Sequence, residues 1–204
     1  MLLMLFIALA SYLLGSVPFG LILTRAAGLG DIRSIGSGNI GATNVLRTGR
    51  RDLALATLVL DSGKAAIAAF SAGWLSGGDP RFVALAGAMA FLGHCFPIFL
   101  RFKGGKGVAT YFGTLIAFGW LGLVAAAAAW LLTVAISRQS SLGALVAAAF
   151  TPIVFFATGK VTLGLGITLM SFVVFLRHRA NIERLIRGTE PKIGSKSDQA
   201  DAAP

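Results

Sequence analysis

Between Val108 and Ser137 the chain reads VATYFGTLIAFGWLGLVAAAAAWLLTVAIS, thirty residues without a charge. As one helix this stretch would measure about 45 Å, which exceeds the roughly 30 Å hydrocarbon core of a bilayer. It is therefore either one tilted helix or a tight hairpin that breaks near Gly119-Trp120. The arrangement of the rest of the chain depends on which of the two it is.

The composition places the whole chain in a membrane. Of its 204 residues, 56% are hydrophobic and only 13% are charged, whereas a soluble domain carries about 25% charged residues. The net charge of +10 suits anionic lipid head groups and anionic substrates, and apolar runs of this length argue against nucleic acid as the partner. The other apolar runs are Leu2–Thr24, Leu53–Trp74, Phe82–Leu100, Leu142–Thr158 and Val161–Leu176.

The distribution of basic residues favours the hairpin, because lysine and arginine concentrate on the cytoplasmic side of membrane proteins. A hairpin puts 15 basic residues on one side and two, Arg81 and Lys160, on the other, whereas a single helix gives nine against eight. We therefore predict an all-α integral membrane protein with seven transmembrane helices, an outside N-terminus and a cytoplasmic C-terminus, in which helices 4 and 5 form one short hairpin. Residues 1–187 are expected to form a single domain, followed by a disordered cytoplasmic tail at 188–204.

In this topology four polar segments lie at the cytoplasmic face. They are GSGNIGATNVLR (36–47), FKGGKGVAT (102–110), RQSS (138–141) and RHRANIER (177–184). Ser, Thr, Asn and Gly at this density, together with fixed cations, are what phosphate groups require. The glycine–lysine turn taken alone has an ordinary alternative, a polar turn with orienting lysines, because its spacing is not that of a P-loop.

Several polar residues lie inside or next to the apolar runs. Asp61 and Lys64 are about one helical turn apart in the second run, where a charge costs at least about 2.5–3.5 kcal/mol unless it is paired or faces water. We interpret them as an ion pair within the helix bundle, with a substrate contact as the alternative. His94 fits an interhelical hydrogen bond and a site role equally well. His178 and Asn181 share a helix face after the last run and are expected to contact substrate.

Three of these segments resemble the signature motifs of one enzyme family. GSGNIGATNVLR (36–47), GHCFPIFLRFKGGKGVAT (93–110) and HRANIERL (178–185) are similar to the motifs of the bacterial acyl-phosphate:glycerol-3-phosphate acyltransferases, the membrane enzymes known as PlsY. The resemblance extends over about residues 1–187 and implies seven transmembrane helices with an outside N-terminus. It also implies transfer of an acyl group from acyl phosphate, not acyl-CoA, to glycerol 3-phosphate. The products would be lysophosphatidic acid (1-acylglycerol 3-phosphate) and inorganic phosphate, in the first acylation step of phospholipid synthesis.

The resemblance also assigns roles to individual positions. Catalytic roles fall on Ser37, Arg47, Lys106, His178 and Asn181. Substrate-binding roles fall on Asn39, Thr43, Asn44, Lys103, Gly104, Gly105, Gly107, Thr110 and Ser141. No cofactor and no nucleic acid is expected, and no metal ion either, because the eight acidic residues form no cluster in the sequence. The expected location is the cell inner membrane, as a multi-pass protein whose site faces the cytoplasm, and a monomer is compatible with this arrangement.

An acyl phosphate is already activated, so the protein need not supply a covalent nucleophile. It must hold two anions together and set a glycerol hydroxyl against the acyl carbon, and positioning of this kind supplies about 7–11 kcal/mol. We expect glycerol 3-phosphate to be held by Arg47, Lys106, Ser37, Ser141, His178 and Asn181. The backbone of Gly104 and Gly105, with Thr43 and Asn44, is expected to hold the acyl phosphate. The base is either His178 or a phosphate oxygen of the substrate.

Two other classes of function fit parts of the pattern. A phosphate or organophosphate transporter would need polar, broken helices near the middle of the membrane, and only Asp61 and Lys64 meet that requirement. A lipid-binding scaffold would tolerate alanine at Ser37 and Lys106 without loss.

Overall fold

A computed structural model describes residues 1–193, and this part of the chain is helical and contains no β-strand. The α-helices are α1 (Leu2–Ser16), α2 (Phe19–Ala26), α3 (Ala42–Val45), α4 (Arg51–Leu75), α5 (Pro80–Cys95), α6 (Val108–Phe118), α7 (Trp120–Ser137), α8 (Ser140–Ala157), α9 (Val161–Arg177) and α10 (Arg179–Ile186). Short 3-10 helices occupy Ile32–Ser34, Leu46–Thr48 and Ile98–Leu100.

Helix length and composition identify the segments that can cross a membrane. Five segments of the described residues qualify: Leu2–Ala26, Arg51–Leu75, Pro80–Leu100, Trp120–Ser137 and Ser140–Ala157. A sixth is added if α9 and α10, which meet at an angle of 61°, count as one bent span. The protein therefore has an all-helical integral membrane fold with five or six such spans, compared with the seven expected from the sequence. The short helix α6 has only 11 residues and rises about 16 Å.

The long charge-free stretch is interrupted at Gly119, where the sequence suggests a break. Gly119 has φ 131° and ψ 145°, a conformation that residues with a side chain rarely adopt. On one side of the break, the Phe118 ring packs edge-on against Phe155 near the end of α8, with ring centres 6.0 Å apart. Two turns earlier, the Tyr111 hydroxyl lies 2.9 Å from Ser171 Oγ in the second half of α9. These contacts hold one end of α6 against α8 and the other against α9.

Glycines allow several helices to touch backbone to backbone. A Cβ atom at Gly15 of α1 would overlap the carbonyl group of Ala90 in α5, and one at Gly113 of α6 would overlap Ser62 in α4. Apolar attraction between helices is weak in lipid, so close packing of this kind supplies much of the association. These contacts pack α1 onto α5 and α6 onto α4.

The chain beyond α10 packs on the protein for several residues more than the sequence suggests. The expected tail begins at Gly188, but Glu190 is only 8% exposed. Ile193 exchanges two hydrogen bonds with Arg138: its N–H donates to the Arg138 carbonyl at 2.7 Å, and Arg138 Nη2 donates to its carbonyl at 2.9 Å. The packed region thus continues at least to Ile193. The remainder of the expected tail, 194–204, lies outside the described residues.

Replacing Gly113 with alanine should lower stability, because the added methyl group must displace backbone atoms of α4. Overpacking of this kind costs about 1–3 kcal/mol, which would appear as a lower unfolding temperature in detergent. Gly63→Ala is the matched control, since Gly63 is also helical but has no neighbouring heavy atom within 4 Å of the position that an added methyl group would take. Equal unfolding temperatures for the two variants would contradict this account of the α4–α6 contact.

Candidate active site

The loop between α2 and α4 is organised around one buried amide. Asn44 is 1% exposed, and its Nδ2 lies 2.8–3.0 Å from the carbonyl oxygens of Ile32, Ile35 and Asn39. Its Oδ1 accepts from the backbone N–H of Ser37 at 3.0 Å and lies 3.3 Å from the Ser37 hydroxyl. Asn44 therefore shapes the loop and presents the exposed Ser37. Its own polar atoms are committed, so the expected contact between Asn44 and acyl phosphate is not supported.

The same loop brings Arg47 beside Ser37. A Cβ at Gly36 would meet Cδ and Nη1 of Arg47 and Oδ1 of Asn44, all at under 3 Å, and Gly36 has φ 53°. A residue with a side chain at this position would push the guanidinium away from the loop.

The glycine–lysine loop between α5 and α6 is held through its carbonyl groups. Arg177, the last residue of α9, donates from Nη2 to the Gly104 carbonyl at 2.6 Å and from Nε to the Gly105 carbonyl at 3.0 Å. The Gly105 N–H donates to the His94 carbonyl at 3.1 Å. It is therefore not available to an oxyanion, contrary to the expectation for this residue. Arg177 belongs to the predicted polar segment 177–184, but the sequence predicts no individual role for it.

Close packing explains why these positions are glycine. A Cβ at Gly104 would overlap the His94 carbonyl and Pro97, and one at Gly105 would overlap His94 Nε2. Gly107 has φ 83°, and a Cβ there would overlap the Phe91 ring. These glycines let the loop pack closely against the end of α5. Lys106 is part of this loop.

Lys106 connects the glycine–lysine loop to α10. Its Nζ donates to Asn181 Oδ1 at 2.7 Å, which leaves two of the three ammonium hydrogens for a ligand. Burial lowers the pKa of the Lys106 ammonium to about 8; Glu190 opposes this shift, while Arg184, Arg177 and Arg47 add to it. The lysine and three arginines thus form one cationic group.

Glu190 ties α8 to α10, and sequence reasoning missed it. Its Oε1 accepts from the Ser141 hydroxyl and from Asn181 Nδ2, both at 2.6 Å, and its Oε2 accepts from Arg184 Nε at 2.7 Å. Although burial opposes ionisation, these hydrogen bonds hold the pKa of Glu190 below its ordinary value. Glu190 follows the last helix in a polar segment, so no periodic pattern indicates its burial.

His178 lies at the junction of α9 and α10, in a fixed orientation. It is 2% exposed, and its Nδ1 lies 2.8 Å from the Val174 carbonyl. Since a carbonyl only accepts, Nδ1 carries a proton. Burial lowers the pKa of His178 to about 4, and the nearby Lys106 and Arg177 act in the same direction. The ring is therefore neutral near pH 7, with an unprotonated Nε2.

The remaining expected residues divide into exposed and buried ones. Thr43 and Lys103 are exposed, and Asn39 is half-buried with its carbonyl bonded to Asn44. Thr110 is 0% exposed and donates its hydroxyl to the Gly107 carbonyl at 2.9 Å. It stabilises the first turn of α6 and does not reach the surface, so its predicted substrate contact is not supported.

The structure thus gathers Lys106, His178, Asn181 and Ser141 into one cluster, with Arg47 near enough to affect the pKa of Lys106. Ser37 stands on the loop that carries Arg47. Fixed cations, amide and hydroxyl groups in this arrangement suit a phosphorylated ligand.

Anion binding by this cluster should weaken as the pH rises through about 8, because the Lys106 ammonium loses its proton. Sulfate is a suitable probe, since its charge is constant between about pH 6 and 10 while the arginines stay protonated. We expect the dissociation constant measured by calorimetry in detergent to rise over this interval for the wild type. Lys106→Met should bind more weakly and show no such rise; a parallel rise in that variant would assign the titration to another group.

Comparison with known proteins agrees with this geometry. The sequence model of the family described as glycerol-3-phosphate acyltransferase matches residues 5–188. A glycerol-3-phosphate acyltransferase of Jannaschia sp. (strain CCS1) is 57% identical over 190 residues, 93% of each chain. That of Maricaulis maris (strain MCS10) is 54% identical over 195 residues, 96% of this chain and 89% of the relative.

Solved structures agree in fold as well. A crystal structure of PlsY, described as an integral membrane glycerol 3-phosphate acyltransferase in its glycerol 3-phosphate form, is 34% identical with a TM-score of 0.89, over 95% of this chain and 97% of that one. The lysophosphatidic acid form is 32% identical with a TM-score of 0.87, over 97% and 98%. The chain therefore belongs to the glycerol-3-phosphate acyltransferase family that includes PlsY.

Proposed function

We propose that this protein transfers an acyl group from acyl phosphate to glycerol 3-phosphate, giving lysophosphatidic acid and inorganic phosphate. Membership of the family supports the acyl acceptor and the product. The observation that carries the proposal is the cationic cluster around Lys106, joined by Asn181 to Glu190 and Ser141. All of these groups come from one chain, so a single copy supplies them.

Lys106 and Arg47 are the groups best suited to hold the phosphate of glycerol 3-phosphate. Lys106 keeps two ammonium hydrogens after its bond to Asn181, and Arg47 offers a planar guanidinium. Ser37 contributes an exposed hydroxyl beside Arg47. Two anions that would repel each other in water can then lie together, because the cations offset their charge.

In the reaction one carbon–oxygen bond forms, another breaks, and the proton of the attacking hydroxyl passes to a base. The glycerol hydroxyl oxygen attacks the acyl carbon, the bond from that carbon to the phosphate oxygen breaks, and inorganic phosphate leaves with the bonding electrons. The cations near Lys106 stabilise the negative charge that grows on the departing phosphate. Because the Gly105 N–H donates to the His94 carbonyl, cationic side chains supply this stabilisation in its place.

The experiment that tests the proposal measures phosphate release by purified protein in detergent, with acyl phosphate and, separately, acyl-CoA as donor. We expect release only with acyl phosphate plus glycerol 3-phosphate, and lysophosphatidic acid in equal amount. A transporter would show no turnover without a closed compartment, so absence of acyl transfer would remove the proposed function.

Lys106→Ala should raise the KM for glycerol 3-phosphate at least about 10-fold or abolish turnover, since a hydrogen-bonded charge pair is worth about 1.5–3 kcal/mol. Lys160→Ala is the control, because Lys160 is an exposed lysine between α8 and α9, near Gly119. An unchanged KM and rate for Lys106→Ala would refute its assignment.

A phosphate oxygen of the substrate is the better candidate for the base. The pKa of His178 is lowered to about 4, whereas a phosphate monoester has a second pKa of about 6, closer to neutral pH. His178 Nε2 remains free to accept a hydrogen bond from the glycerol hydroxyl and to orient it.

The pH dependence of kcat/KM separates the two bases, because it reports groups of the free enzyme and free substrate. We expect an acid limb near pH 6, set by the substrate, in both the wild type and His178→Gln, and an alkaline limb near the Lys106 pKa of about 8. The substitution should lower the rate uniformly. An acid limb near the His178 pKa of about 4 in the wild type, absent from the variant, would instead identify His178 as the base.

We also propose seven crossings, with the N-terminus outside, the C-terminus in the cytoplasm and the site at the cytoplasmic face of the inner membrane. The contacts of α6 support a short crossing antiparallel to α9. Near the start of α6, Tyr111 contacts Ser171, about two turns before the end of α9. At the end of α6, Phe118 contacts Phe155 of α8, which lies close to the start of α9. The catalytic domain then ends at or after Ile193.

Cysteine labelling tests this topology in a Cys95→Ala background. With an impermeant maleimide on intact cells, a cysteine at Lys160 should react at once, whereas one at Arg138 should react only after the inner membrane is permeabilised. Both positions are exposed. The reverse pattern would mean that residues 108–137 cross only once.

A further inference from the structure

Three polar side chains of α4 and α5 lie buried together beneath the glycine–lysine loop, and the proposed reaction does not use them. Asp61, Lys64 and His94 are 1%, 2% and 3% exposed. Lys64 Nζ pairs with Asp61 Oδ1 at 2.8 Å, as the sequence suggests. A charge inside a membrane protein is costly even when paired, and the position of this cluster relative to the site indicates what it supplies.

The surroundings of Lys64 determine the protonation of His94. Lys64 Nζ has three neighbours: Asp61, the Val17 carbonyl at the break between α1 and α2 (2.7 Å), and His94 Nδ1 (3.1 Å). An ammonium group only donates, so His94 Nδ1 must accept. A proton on Nδ1 would face an ammonium hydrogen at this distance, while Asp61 Oδ1 is farther from Nδ1, at 3.5 Å. The neutral ring of His94 therefore carries its proton on Nε2.

The Nε2–H group points toward the site and has no protein acceptor among the described residues. A Cβ at Gly105 would overlap Nε2, so this nitrogen lies against the residue that precedes Lys106. Within residues 1–193, the hydrogen bonds of the His94 ring involve Nδ1 only. Nε2 is not among the fully buried polar atoms that lack a hydrogen-bond partner, which in residues 1–193 are Asp61 Oδ1 and Trp130 Nε1, so it is open to a ligand or water.

We propose that His94 Nε2–H is a hydrogen-bond donor to a phosphate oxygen of a bound substrate, and that Lys64 and Asp61 are positioning residues that fix its tautomer. This assignment rests on the proposed function for the identity of the ligand. In this arrangement the buried Asp61–Lys64 ion pair has a role: it keeps the His94 imidazole neutral and oriented toward the glycine–lysine loop. A neutral donor placed there stabilises negative charge without adding another cation to a crowded cluster.

The two histidines of the chain provide an internal comparison. His178 donates from Nδ1 to a carbonyl, so the two rings are expected in opposite tautomers. Nitrogen-15 spectra of the wild type in nanodiscs should show a protonated Nε2 for His94 and a protonated Nδ1 for His178, with His178→Gln assigning the signals. A His94 ring protonated on Nδ1, or on both nitrogens, would overturn the proposal.

Ligand titrations in the same sample identify which phosphate is bound. Glycerol 3-phosphate alone and a non-hydrolysable acyl phosphonate alone form separate arms, and the His94 Nε2–H signal should shift in at least one. A shift in neither arm, with binding verified by calorimetry, would reduce His94 to a structural residue. These measurements need no turnover, so they can fail or succeed independently of the acyl transfer assay.

His94→Asn tests the role in turnover. The asparagine oxygen can replace Nδ1 as acceptor for Lys64, which protects the buried charges, but the distal donor is lost. We expect kcat/KM to fall about 10- to 100-fold, the usual loss for a hydrogen bond to a charged group, at an unfolding temperature close to that of the wild type. Cys95→Ala, at the neighbouring buried position, should change kcat/KM less than twofold. A His94→Asn enzyme within twofold of wild type would overturn the proposal.

Discussion

Irregular backbone inside or beside a membrane needs a hydrogen-bonding partner for every polar group, because lipid supplies none. This protein meets that need with three polar side chains. Lys64 donates to the carbonyl at the break after α1, Arg177 holds the two carbonyls of the glycine–lysine loop, and Asn44 holds three carbonyls of the first loop. Each non-helical segment of the site is thus fixed by one buried or half-buried group, which explains how loops can be positioned as firmly as helices.

This arrangement separates polar residues that support the backbone from those left for a ligand. Asn44 and Arg177 have their groups directed to carbonyls, whereas Lys106 keeps two ammonium hydrogens and Ser37 is exposed. Glu190 adds a third kind of contribution, since it orients the Asn181 amide so that the amide oxygen faces Lys106. The motifs therefore contain supporting residues as well as candidate ligands.

The sequence predicts the class of fold, the break at Gly119 and the family, since these depend on charge-free length, basic residue counts and long motifs. It predicts less well how each motif residue is used. Thr110 and Asn44 look like ligands in a motif, yet the structure buries them, because burial depends on contacts between distant segments. The glycines at 104 and 105 suggest a backbone whose N–H groups bind phosphate. In the structure His94 packs directly against both residues, so close packing explains why they are glycine. Glu190 carries no signal in local patterns.

The shortness of α6 has a consequence for where chemistry takes place. A helix of 11 residues rises about 16 Å, roughly half the hydrocarbon thickness. If α6 crosses the membrane, as proposed, one or both of its ends lie below the level of the lipid head groups, and the glycine–lysine loop adjoins one of them. A fatty tail can then stay in its own leaflet while its polar end meets a water-soluble partner. Such a position would spare the enzyme the free-energy cost of moving the acyl chain into water.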